Sequence, residues 1–188
     1  MKRPPASLSS QALALLARRE HSRLELRGKL MAHARKLARA AQAGEADATE
    51  ATGAEAVDAE AVDAEDLAGQ AFDAEAWGAQ VDAVLDRLGA RGLQSDTRFI
   101  DSRVHARAAR HGHNRIRMEL ARHGVELDDE TARQLRESEY RRAHEVWQRK
   151  FGCPAEDAAG RARQMRFLAA RGFGAEVIRR VVGGRDED

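Results

Sequence analysis

The chain has 188 residues and is 43% hydrophobic, but 38 residues are alanine and aromatic residues make up only 4%. Large apolar side chains supply most burial energy, about 1.5–3 kcal/mol each, so this composition excludes one large core and favours several small ones. With 32 Lys and Arg against 31 Asp and Glu, the net charge is +1. No run reaches the roughly 18 apolar residues of a membrane span. The opening MKRPPASLSS lacks the apolar stretch of a secretory signal, and the single Cys153 fits a reducing compartment without a disulfide framework. A soluble, helical, cytoplasmic protein is expected.

The near-zero net charge hides an asymmetry. Residues 1–42 carry ten Lys or Arg against two Glu, residues 43–76 carry eleven Asp or Glu and no base, and residues 77–188 carry 22 bases against 18 acids. An acidic block between basic segments points to surfaces that meet a polyanion or a protein. Of the basic residues 28 are Arg and four are Lys. Arg offers a planar five-donor fork for carboxylate or phosphate, although codon bias in a GC-rich genome would enrich Arg, Ala and Gly together. The placement of Arg is therefore more informative than its number.

In chain order, the first periodic segment is Ser7–Arg19, with Leu8, Ala12, Leu15, Leu16 and Arg19 near helical spacing and Ser7, Ser9 or Ser10 as N-cap. A second, short helix follows His21-Ser22, with Leu26 and Leu30 at i, i+4 and Arg23 and Arg27 exposed. Ser22 and Glu25 have the spacing of a capping box. From about Ala38 to Ala71 the sequence is rich in alanine and acid and holds the echo EAVDAEAVDAED. Disorder or high mobility is expected there, because little apolar surface offsets the ordering entropy. A third helix is predicted over Asp73–Ala90, where Trp77, Val81, Val84, Leu85 and Leu88 form a stripe and Gly92 fits the C′ position.

Helices over Asp96–Arg110, Asn114–His123 (ending at Gly124) and Asp129–Glu137 follow. The last opens on acids and closes near Arg133 and Arg136, the polarity that the helix dipole favours. The final group is Ser138–Phe151, Ala155–Arg171 (ending at Gly172) and Ala175–Val182, with Tyr140, His144, Trp147 and Phe151 as a buried stripe. These groups echo one another. Leu120-Ala-Arg-His123-Gly124-Val125 aligns with Leu168-Ala-Ala-Arg171-Gly172-Phe173 at an offset of 48. His21 to Leu30 aligns with His111 to Leu120 at an offset of 90. The expected fold is all-α, an elongated array of three tandem three-helix repeats. The repeats span 8–93 (interrupted by the acidic insert at about 38–72), 94–137 and 138–183, with tails at 1–7 and 184–188.

Several stretches resemble the RecX family of regulatory proteins, negative modulators of the RecA recombinase. They are Ser7-Leu8-Ser9 with Ala12 through Ser22 and Glu25 through Leu30; Leu88 through Phe99; Arg110 through Leu120 with Gly124-Val125; and Met165 through Phe173. Together they cover nearly the whole chain apart from the acidic block. After Leu30 the chain departs from the family: where a glycine-containing turn is usual, His33-Ala34-Arg35-Lys36 runs on into the acidic segment. The resemblance implies a protein that binds RecA, lies along the filament groove, and blocks filament extension or promotes disassembly. ATP hydrolysis, strand exchange and the coprotease activity of RecA would fall as a consequence. A monomer with no cofactor is expected.

The residues offer little catalytic chemistry. The seven His form no HExxH pair and Cys153 has no Cys partner, so the usual zinc spacings are missing. Neither GxxxxGK[ST] nor GxGxxG occurs, and the acids lie at helix termini or in the insert rather than as a general acid–base pair. A non-enzyme is expected. The functional candidates are arginine rows. Arg18, Arg19, Arg23 and Arg27 cluster near the first helices. Arg103, Arg107 and Arg110 share a face. Arg115 and Arg122 flank Glu119 on the next helix, which also carries Arg117. Arg163, Arg166 and Arg171 decorate the last long helix. Such faces suit a long acidic track, a nucleoprotein filament groove or a DNA backbone, whereas solvated rows with i, i+4 pairs worth about 0.2–0.5 kcal/mol are the plain alternative. A rival reading is an autonomous DNA-binding protein that contacts phosphates through these faces; scarce aromatics speak against a single-strand stacking platform. A scaffold for another partner is the third.

Overall fold

The computed structural model describes residues 6–47 and 72–183. All regular structure among them is helical: α1 (Leu8–Leu16), α2 (Arg23–Asp47), α3 (Ala74–Ala90), α4 (Asp96–Ala108), α5 (His113–Arg122), α6 (Asp129–Glu137), α7 (Glu139–Phe151), α8 (Ala158–Ala169) and α9 (Ala175–Gly183). The chain divides into two compact units, Met1–Ser95 and Asp96–Asp188. As the composition led one to expect, the buried apolar side chains form three small clusters rather than one core.

Side-chain oxygens start the helices by accepting from otherwise orphaned amides. Ser7 accepts from Ser10, Asp73 from Glu75 and Ala76, Asp128 from Thr131, and Asp157 from Gly160. The Asp157 cap moves the start of α8 to Ala158, past the expected Ala155. At the other ends a repeated turn appears. Leu93 N–H donates to Leu88 O (2.9 Å), Val125 to Leu120 O (3.2 Å) and Phe173 to Leu168 O (3.4 Å). The glycine before each, Gly92, Gly124 or Gly172, has φ between 67° and 80°. These are Schellman closures, at the three glycines where the sequence ended its helices.

In the first unit α1, α2 and α3 enclose Leu26, Leu30, Ala34, Ala38, Trp77, Val81 and Leu85, all nearly inaccessible. The second helix is not short. Its buried stripe continues from Leu26 and Leu30 through Ala34 and Ala38 at i, i+4, and α2 runs for 25 residues to Asp47. Alanine has the highest helix propensity, and here its small side chain fills the interior face. Thus residues 38–47, expected to be disordered with the acidic block, are helical, while residues 48–71 lie outside the described residues.

Charged side chains tie the same helices. Arg23 meets Asp86 at 2.7 Å, and Arg27 grips both oxygens of Asp82 at 2.8 and 3.1 Å. The bond from Arg27 holds the Asp82 carboxyl below the ordinary range. Beside the capping contact from Glu25 N–H to Ser22 Oγ (3.1 Å), the Glu25 carboxylate receives Arg19, lies 3.2 Å from His21 Nδ1 and 3.4 Å from Lys29 Nζ. Burial alone would raise its pKa, but the Arg19 bond and the charges of His21, Arg19 and Lys29 bring it down to about 2. Burial also pushes His21, 2% exposed, below the ordinary histidine range, with the Glu25 charge opposing.

A carboxyl whose pKa is lower folded than unfolded adds stability that is complete above the unfolded value and vanishes as pH falls through the folded one. Glu25 therefore supports the first unit fully above about pH 4.5 and loses that support on the way to about pH 2. Replacing Glu25 by Gln is expected to cost about 1–3 kcal/mol at pH 7 and to flatten the acid limb of stability between those values. Urea unfolding across a pH series, followed by circular dichroism, checks it.

Candidate functional site

In the second unit, α4, α5 and α6 pack around Phe99, Ile116, Leu120 and Leu135, and α7, α8 and α9 around Trp147, Leu168, Phe173 and Ile178. Trp147 is buried and donates through Nε1 to Gln164 Oε1 (3.1 Å), whose amide donates to Cys153 O (3.0 Å). Its neighbours in the predicted stripe, Tyr140, His144 and Phe151, are only half-buried.

The link between the two groups is built from polar atoms. Arg142 of α7, 7% exposed, donates to Ala108 O (2.8 Å), His111 O (2.7 Å) and Leu135 O (2.7 Å). One guanidinium thereby satisfies carbonyls near the ends of α4 and α6 and in the α4–α5 turn, which the Arg fork allows and the Lys point charge does not. Burial lowers its pKa, with Glu139 opposing. One turn earlier on α7, Glu139 Oε1 accepts from His113 N–H (2.9 Å). It supplies the cap that Gly112, the N-cap residue of α5, has no side chain to give.

Gly112 has another task. Its N–H donates to Arg171 O (3.0 Å), and Asn114 N–H donates to Gly172 O (3.2 Å). A Cβ on Gly112 would collide with the backbone of Gly172 and Phe173, and one on Gly172, where φ is +80°, would come within 2.5 Å of Arg115 Cβ. The α4–α5 and α8–α9 turns thus lie against each other with no room for a methyl group.

Beside this contact opens a cleft of about 650 Å³, lined by Arg110, Arg115, Arg149, Lys150 and Arg171 around His111, with Phe167 among its apolar walls; none of its lining residues is acidic. Arg115 Nη1 donates to Ala170 O (3.0 Å), Arg149 Nε to Glu145 O (3.2 Å), and Arg171 Nη1 to Phe167 O (3.3 Å) while its guanidinium lies 3.6 Å from the Phe167 ring centroid. Burial first, then Arg115, Arg107 and Arg171, push His111 below the ordinary histidine range, with Glu119 opposing. His111 is consequently neutral at pH 7. Five cations converging without an acid make a standing positive potential, which draws anions and leaves phosphate or carboxylate oxygens as natural partners.

The arginines singled out in the sequence separate accordingly. Arg110, Arg115 and Arg171 come together at the cleft. Arg19, Arg23 and Arg27 are held by carboxylates of the first unit, and Arg103 and Arg107 both reach Glu119, at 3.5 and 3.3 Å. Among the described residues, Arg18, Arg110, Arg117, Arg122, Arg163 and Arg166 are exposed and their side chains take no ion pair or hydrogen bond. Sequence reasoning missed Arg149 and Lys150, whose only signal is their place near the C-terminal end of α7, and it missed the interior roles of Glu139 and Arg142. Among the described residues, no three His, Cys, Asp or Glu side chains come together as metal ligands, and no helix is long and apolar enough to cross a membrane.

Tandem three-helix groups joined through a polar seam beside a cationic cleft define an all-helical repeat protein with an anion-attracting surface. Comparison makes the class specific: residues 95–133 match the second three-helix domain of RecX and residues 136–182 the third. Regulatory protein RecX of Ralstonia pickettii is 36% identical over 189 residues, covering 100% of this chain and 93% of that protein. The Ralstonia nicotianae protein of the same name is 39% identical, over 99% and 92%, and that of Herminiimonas arsenicoxydans 37%, over 100% and 99%. The chain belongs to the RecX family, a family of regulatory proteins.

Replacing Gly172 by Ala adds a left-handed backbone penalty of about 1–2 kcal/mol to a clash with Arg115, and a loss of about 2–4 kcal/mol is expected. Gly92→Ala, at a similar φ of +67° with open space around it, is expected to cost only the backbone penalty. Paired denaturation curves of the two variants check the difference.

Proposed function

We propose that this protein binds RecA and its nucleoprotein filament, blocks filament extension, and so lowers the recombinase, ATPase and coprotease activities of RecA. It does this without chemistry of its own, in the cytoplasm, as part of DNA repair and recombination and the SOS response. Membership of the RecX family supports the partner. The observation that carries the mechanism is the acid-free cleft: a filament presents phosphate and carboxylate along its length, and five convergent cations favour contact with such a track. The reading also takes the chain as three tandem three-helix domains over 8–93, 94–137 and 138–183.

The same cleft favours a second reading, direct binding of DNA phosphates without RecA. The two differ in stoichiometry. Under the first, RecA ATPase on single-stranded DNA is inhibited at a small fraction of the RecA concentration, while DNA binding by the protein alone is weak. Inhibition only where the protein saturates DNA by itself would carry the second. The double variant Arg110→Glu, Lys150→Glu alters two exposed side chains with no internal partner among the described residues, so folding is expected to persist. Inhibition of RecA ATPase is expected to weaken at least about tenfold, and the salt dependence to become shallower by about two counterions. Wild-type inhibition by this variant would remove the cleft from the mechanism.

A further inference from the structure

The most exposed large hydrophobic side chain among the described residues of the second unit lies away from the cationic cleft's lining, on α5. Met118 is 57% exposed, and it borders two grooves, one on each side of its helix. The first, about 380 Å³, runs between α5 and α6 over Val125 and Leu127, with Arg117 and Arg136 at its edge. The second, about 650 Å³, runs between α5 and the α8–α9 region over Phe173 and Ile178, with Arg115 and Arg122 at its edge. Each groove also has one acid. Glu126 is exposed beside the first, and Glu119 beside the second already receives Arg103 and Arg107.

We propose that this helix face is a docking site for an acidic protein segment that places two apolar side chains astride Met118, one in each groove. Charge selects the partner: Arg117, Arg122 and Arg136 make no internal ion pair among the described residues, so carboxylates flanking the apolar anchors would meet cations at both edges. The apolar floor selects protein over nucleic acid. Met118 and the half-buried Leu127 give nothing to a phosphate, and Phe173, 3% exposed, offers no ring for base stacking. Methionine's unbranched thioether adapts to an irregular apolar partner. Since a helix with its side chains is about 10 Å across, anchors about 10 Å apart fit, which a helical segment provides at i, i+7.

This inference rests on the reading that the chain acts by binding a protein, and its test uses a probe independent of RecA. The probe is a fluorescein-labelled, Glu-rich helical peptide with two leucines seven residues apart; its twin has both leucines changed to alanine. The full chain is expected to bind the leucine peptide at least about tenfold more tightly than the twin, by fluorescence anisotropy. Met118→Glu, at an exposed position, is expected to abolish that preference and Met118→Leu to keep it. Equal affinity for the twins, or a preference indifferent to Met118→Glu, overturns the proposal. So does competition by oligo(dT) that depends on Met118, which would give the face to nucleic acid, or a dimer that Met118→Glu dissolves in light scattering, which would give it to a second copy. RecA ATPase measured beside the peptides separates the two ideas. A leucine preference with no effect on RecA keeps the groove and removes RecA as its partner. RecA inhibition with the twins bound alike removes the groove and keeps RecA.

Discussion

Where Gly112 passes Gly172, two main chains touch with nothing between them but two hydrogen bonds, and the geometry of the second unit follows from that contact. A pair of backbone bonds adds only about 1 kcal/mol each, so this contact matters through position rather than strength. It fixes the α4–α5 turn against the α8–α9 turn. Arg110 and His111 then lie on one side of a cleft and Ala170 and Arg171 on the other. From beneath, α7 secures the arrangement, with Arg142 on three carbonyls and Glu139 on the first amide of α5. Buried polar networks of this kind are costly when half-satisfied and define a single arrangement when complete.

That arrangement explains how a chain of net charge +1 presents a strong local field. Bringing five cations together costs Coulomb energy, and the fold offsets it through contacts made by the same side chains. Arg115 donates to a carbonyl, Arg171 to another while lying over the Phe167 ring, and Arg149 to a third. The partial negative charge of carbonyls and ring faces stabilises the guanidinium without cancelling it as a carboxylate would. Elsewhere the opposite solution prevails: Arg27 sits on Asp82 and Arg107 on Glu119, which leaves little outward field. The same residue type is thus internal strut in one place and exposed charge in another, and the difference lies in whether its partner is an acid or a dipole.

This is also why the helices were more legible in the sequence than the site. Caps and glycine turns are local: Asp73 and Asp128 accept from amides two or three residues on, and Gly92, Gly124 and Gly172 close their helices where the sequence ended them. The alanines at 34 and 38 carry no such signal. They are buried in one cluster with Trp77 and Val81, about forty residues away, and without that cluster an Ala-rich run reads as either solvated helix or loop. Spacing on α2 marked Arg23 and Arg27 as an exposed pair, but their carboxylates come from α3. Lys150 and Arg149 entered the cleft for the converse reason: nothing near them in sequence shows that α7 ends beside Arg110 and Arg171.

As proposed binding surfaces, the cleft and the grooves of the second unit would divide recognition between them in physical terms. The cleft offers charge, whose reach in physiological salt extends about 8 Å and which acts mainly on the rate and orientation of encounter. The grooves beside Met118 offer apolar area, which acts only at contact and lengthens the life of a complex once formed. Arg115 borders both the cleft and one groove, with its guanidinium fixed to Ala170 O and its Cβ against Gly172. Any shift of the α8–α9 turn therefore moves the charged and the apolar surface together. A regulator assembled from small three-helix cores, none of which could orient such a surface alone, obtains its precision from that shared turn.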